Sequence, residues 1–119
     1  MEQKEMLDII VKALDSKRAE DIRVLCIKDI TVVADYFVIA DGSSTTQTKA
    51  LADEVEFRLK QQGVEPLRTE GYQNASWIAL DYGWAIVHVF YKETRDHYNL
   101  ERLWNDAEEV DISDIVVKE

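Results

Sequence analysis

The sequence predicts a single-domain α/β protein in which helices flank a mixed β-sheet. Three observations carry that expectation. Segments with apolar residues at helical spacing alternate with short apolar runs, in the order helix, two strands, helix, strands, helix. Two of the runs are apolar on both of their alternating sides, the pattern of strands covered on both faces. The chain has 119 residues, 46% of them hydrophobic, with four Gly and one Pro. That is enough for one core burying roughly two-thirds of the unfolded surface.

Met6, Ile9, Ile10, Ala13 and Leu14 recur at helical spacing among charged residues and make a docking helix. Asp21 to Ile27 follows as a covered strand, with Ile22, Val24 and Cys26 on one side and Leu25 and Ile27 on the other, so Cys26 reads as core packing. Thr31 to Ala34 reads as a short, bulged extended piece, and Tyr36 to Ala40 as a second strand ended by Asp41-Gly42-Ser43. Ser44-Thr45-Thr46-Gln47 has capping-box spacing. A helix over roughly residues 45–62 then carries Leu51, Val55 and Leu59 four apart, with Gly63 as its left-handed end and Pro66 beyond.

An extended piece around Leu67 to Gly71 precedes the clearest hairpin of the chain, Trp77 to Asp81 and Ala85 to Tyr91 around Tyr82-Gly83. Its register has two solutions. A two-residue loop puts Trp77 and Asp81 on the face of Trp84, Ile86 and His88; a three-residue loop with a bulge at Gly83 puts them with Ala85, Val87 and Val89. A closing helix is expected from Asp96 to Glu109, through Leu100, Leu103, Trp104 and Ala107. The domain spans residues 1–110, and 111–119 form an acidic tail.

With 24 acids against 14 bases the formal charge is −10, of which −4 lies on Glu108 to Glu119 and −6 on the rest. An acidic surface argues against direct nucleic-acid binding and favours a basic protein partner, whose approach it would accelerate. One cysteine cannot form an internal disulfide, the charged start does not suit a signal peptide, and no apolar run approaches the ~20 residues of a membrane span. The expected location is the cytoplasm, with no membrane partner.

Chemistry is hard to find. Cys26, His88 and His97 are too scattered for a zinc site, and Cys26 sits mid-strand rather than on an activating turn. Gly42-Ser43-Ser44, between a strand and a helix, resembles a phosphate cradle but lacks the P-loop and dinucleotide spacings. Asp81 stands alone, without the second strand carboxylate that a nucleotidyl-transferring metal site needs. No catalytic residue, metal or cofactor is therefore expected, and His88, between Val87 and Val89, reads as structural. Trp104 reads as core. Trp77 and Trp84 either cover a core edge or act as binding hot spots, and the residues alone do not choose.

Several stretches taken in order resemble one family: Ala34 to Ala40, Gly42-Ser43-Ser44, Glu70-Gly71, Trp77, Leu80-Asp81-Tyr82-Gly83, Val87-His88-Val89-Phe90, then Glu93, Arg95, Tyr98, Leu100-Glu101, Leu103-Trp104 and Ala107. They are similar to the ribosomal silencing factors, also called Iojap-like. The resemblance runs from about residue 5 to residue 110. It implies a fold shaped like a nucleotidyltransferase without the catalytic carboxylates, and no enzyme. It further implies binding to the large ribosomal subunit through its protein fourteen, a basic protein at the subunit interface, which obstructs joining of the small subunit when nutrients are scarce. The residues it carries over as contact surface are Trp77, Asp81, Tyr82, Arg95 and Tyr98. Glu70 and Gly71 match as well, with Gly71 and Gly83 as candidate backbone devices. The chain departs from the family's usual pattern at Trp84, Thr46 and His97. The competing reading is a nucleotide-binding or nucleotidyltransferase-type enzyme, and homodimerisation of the free protein through a sheet edge or the hairpin stays open.

Overall fold

Helix α1, Gln3–Ser16, buries Met6, Leu7, Ile10, Val11, Ala13 and Leu14, a broader stripe than the sequence spacing suggests because it packs on both the sheet and a second helix. That helix, α2, is Thr45–Gln61, and it buries Leu51, Val55 and Leu59 as expected, together with Thr48 and Ala52. The computed structural model describes residues 2–98, backbone only over 96–98, and residues 107–113.

Both ends of α2 follow the predicted chemistry. The Ser44 hydroxyl accepts the Gln47 N–H, and Gly63, at φ 78°, donates to Lys60 while Val64 donates to Leu59, a paired closure that satisfies the last carbonyls. The other half of the capping box differs. Gln47 Oε1 accepts from the N–H and hydroxyl of Ser43, and its Nε2 donates to the carbonyls of Lys17 and Arg18, tying the start of α2 to the end of α1.

The strands are β1, Glu20–Cys26; β2, Tyr36–Gly42; β3, Arg68–Glu70; β4, Trp77–Asp81; β5, Ala85–Tyr91; and β6, Glu108–Val110. They form one sheet in the order β3-β4-β5-β2-β1-β6, with β2 and β5 parallel and every other pair antiparallel. The mixed sheet follows from α2: a strand-helix-strand crossover returns β5 parallel to β2, and the hairpin and meander partners supply the antiparallel rest. Val24, Val38, Ala40, Ile78, Leu80, Val87 and Val89 meet α1 and α2 on one face. Leu25, Ile27, Phe37, Ile39 and Phe90 form a smaller cluster on the other.

Three expectations are corrected. Residues 31–34 form no strand; they belong to a loop that leaves Ile30, Val32 and Val33 exposed. Cys26 is half-buried rather than core. A helix does follow β5, but it starts earlier, as α3 over Lys92–Tyr98, and Glu108 and Glu109 belong to β6 instead of a helix. Glu-Glu-Val has no strand signal of its own; pairing with the free edge of β1, Val24 opposite Val110, decides it. Leu100, Leu103 and Trp104 lie outside the described residues, as does the tail beyond residue 113.

Candidate partner-binding face

The hairpin register decides which side chains meet. Trp77 pairs with Phe90, Ala79 with His88 and Asp81 with Ile86, so these six share the face of the sheet away from α1 and α2. This is the face that the two-residue loop predicts, although the tip residues are Gly83 and Trp84, with the Tyr82 N–H donating to Ala85. Trp77 and Trp84 accordingly part company. Trp84 packs at the edge of the helix-side core, edge-on to Tyr36, and its carbonyl accepts the Asp35 and Tyr36 N–H groups. Trp77 stands at the far end of β4, half-buried on the open face.

The rest of that face is built around Trp77. Its indole lies over Phe90, with centroids 5.2 Å apart and planes at 24°, and its Nε1–H donates to His88 Nδ1 at 3.0 Å. His88 is 6% exposed, with the Phe37 ring 4.7 Å away at 77°. Burial pushes its pKa down to about 4, so the imidazole is neutral, and with Nδ1 accepting from Trp77 the proton sits on Nε2. A hollow of about 210 Å³ opens beside the pair, lined by Arg68, Glu70, Trp77, Ala79, Asp81, Ile86 and His88. Asp81 closes its far end. One carboxylate oxygen accepts the Gly83 N–H at 2.8 Å and the other faces the Arg68 guanidinium at 3.5 Å, so its charge is partly balanced from β3.

Gly71 sets the approach to Trp77. It has φ 77°, and an added Cβ would overlap the Trp77 carbonyl oxygen. Only glycine lets the turn before β4 pass that close, which makes Gly71 the backbone device anticipated above.

Of the five residues expected at the contact surface, the structure brings two together. Trp77 and Asp81 share the open face. Tyr82 points to the other side: it is 7% exposed within the helix-side core, and burial, reinforced by Glu56, raises its pKa so that it stays protonated. The alternation of the strand puts it there, one residue out of phase with Asp81. Arg95 is 5% exposed, donating to Asp41 Oδ1 at 2.8 Å and to the Asp21 carbonyl at 2.7 Å; its guanidinium pins α3 to the ends of β1 and β2. In the free chain both are therefore internal groups. Tyr98 ends α3, with its side chain outside the described residues. Ile86 and His88 join Trp77 and Asp81 in only one of the two registers open to the sequence, and Arg68 was not singled out for this face; bringing it there needed the position of β3.

The phosphate-cradle reading of Gly42-Ser43-Ser44 loses a central donor and its open space. The Ser43 N–H is taken by Gln47 at 2.6 Å, and Gly42 backs onto Thr48 so tightly that a Cβ would meet its Oγ1 at 2.5 Å. Among the described residues no three His, Cys, Asp or Glu side chains are placed to hold a metal ion, and no helix is long and apolar enough to cross a membrane.

Across residues 1–119 the chain matches the family described as "Ribosomal silencing factor during starvation". It belongs to the ribosomal silencing factor family. It is 44% identical over 112 residues to the ribosomal silencing factor of Bacillus subtilis, covering 94% of this chain and 95% of that one. A crystal structure of a protein from Chromobacterium violaceum superposes with a TM-score of 0.86 at 34% identity, covering 88% of each chain. More distantly, it is 32% identical over 101 residues to the mouse protein named mitochondrial assembly of ribosomal large subunit protein 1, covering 82% of this chain and 44% of that one. The names of these silencing-factor relatives denote regulation rather than catalysis, and the fold is that of a solved relative.

Proposed function

We propose that this chain represses translation when nutrients are limited by docking on the large ribosomal subunit and obstructing entry of the small subunit. The contact runs through protein fourteen of the large subunit, with Trp77 as anchor and Asp81 at the rim. The single observation that carries this reading is the open β-sheet face itself. In a chain of the silencing factor family, an aromatic side chain stands half-buried beside a hollow edged by Glu70 and Asp81, while the equivalent helix-side face is sealed. An aromatic over a hollow with a charged rim is the composition of a binding hot spot, and the net charge of −10 complements a basic partner.

The mechanism needs occupancy and no turnover. A folded domain held at the subunit interface fills space that the small subunit must enter, so inhibition scales with binding. Its site of action is the cytoplasm, where ribosomes work.

The test is a subunit-joining assay on sucrose gradients, with added protein against buffer, alongside co-sedimentation of Trp77→Ala with isolated large subunits. The unsubstituted chain should leave more free subunits and fewer joined ribosomes. Trp77→Ala should lose about 2 kcal/mol or more of binding while keeping a cooperative melt. Undiminished co-sedimentation of the folded variant removes Trp77 from the interface.

A further inference from the structure

A tryptophan on a sheet surface has two soft torsions, and an indole free to swing must be ordered when a partner closes over it, at a cost in affinity. Trp77 is held before any partner arrives. Its N–H is directed onto His88 Nδ1 at 3.0 Å and its ring is laid against Phe90. The acceptor is itself enclosed: His88 is 6% exposed, in mid-strand between buried Val87 and Val89, with the Phe37 and Phe90 ring centroids 4.7 and 6.4 Å from its own. We propose that His88 is a positioning residue, which fixes Trp77 in its docking orientation without touching the partner. This rests on the reading of Trp77 as the anchor.

The geometry also says what kind of contact Trp77 makes. With the indole N–H satisfied inside the chain, the partner need present no acceptor to it, and the ring offers an apolar surface. Polar recognition then falls to Arg68, Glu70 and Asp81 around the same hollow.

The experiment compares Trp77→Ala, His88→Leu and His88→Gln by co-sedimentation with large subunits. In parallel, the indole N–H of Trp77 is followed by NMR in the free chain, assigned with Trp77→Phe. His88→Leu removes the acceptor: the indole signal should shift, its hydrogen exchange should accelerate, and affinity should fall about three- to tenfold with the melt still cooperative. His88→Gln, whose side-chain carbonyl can accept the same N–H, should restore most of both.

Loss of binding in Trp77→Ala together with undiminished binding in His88→Leu overturns the positioning role alone. Undiminished binding in Trp77→Ala overturns the anchor reading beneath it. If His88→Leu fails to fold, the unsubstituted chain still decides. Indole exchange about tenfold slower than that of an exposed tryptophan supports the held orientation, and exchange at the exposed rate overturns it.

Discussion

Neutral, buried His88 makes stability depend on pH through a single group. Its unfolded pKa is about 6.5 and burial lowers the folded value to about 4. Above pH 6.5 the imidazole is neutral in both states and contributes no slope. Between about 4 and 6.5 the unfolded chain takes up a proton that the native chain refuses, so stability falls as pH falls. At 1.36 kcal/mol per unit, the full loss approaches about 3 kcal/mol below pH 4, and about 2 kcal/mol of it is already lost at pH 5.0. Urea unfolding at pH 7.5 and pH 5.0, on the unsubstituted chain and on His88→Gln, isolates this contribution, because the carboxylates are common to both. The unsubstituted chain should lose about 2 kcal/mol more than the variant over that interval. Equal losses would refute the burial argument, and with it the assignment of the proton to Nε2 in the native state.

Other substitutions test separate parts of the structure. Gly71→Ala places a methyl group on the Trp77 carbonyl at positive φ, and should cost more than about 2 kcal/mol and disturb Trp77 fluorescence; Gly63→Ala, at similar φ in open space, should cost only about 1 kcal/mol in the same urea titration. Arg95→Met strips the buried Asp41 carboxylate of its 2.8 Å partner and should destabilise by about 3–5 kcal/mol by thermal melting, more than an exposed contact residue could. Ser44→Ala removes the α2 cap and should cost about 1 kcal/mol in chemical denaturation, with large-subunit binding unchanged.

Local chemistry was legible wherever it is written in consecutive residues. The stripe Leu51, Val55, Leu59, the Ser44 cap and the Gly63 closure define α2 from within its own sequence, because capping and helical spacing act over a few residues. The family, too, was legible in the ordered motifs from Ala34 to Ala107. What failed was β6, since Glu108-Glu109-Val110 becomes a strand only through β1, more than eighty residues earlier. The facing of the expected contact residues was equally illegible. Tyr82 and Arg95 match a family pattern, but a match does not say which way a side chain faces: Tyr82, one residue past Asp81, turns to the helix side, and Arg95, on α3, turns in to Asp41.

The sequence by itself determined a mixed α/β domain, an acidic chain and membership of a family of ribosomal silencing factors, because composition, periodicity and ordered motifs are properties of the chain. Only the tertiary structure decided that Trp77 and Trp84 have different fates and that His88 holds one of them. A strand alternates its side chains between two faces, so a one-residue change of register would have exchanged the open face for the core. The hairpin pairing and the two helices laid against one side settle that choice.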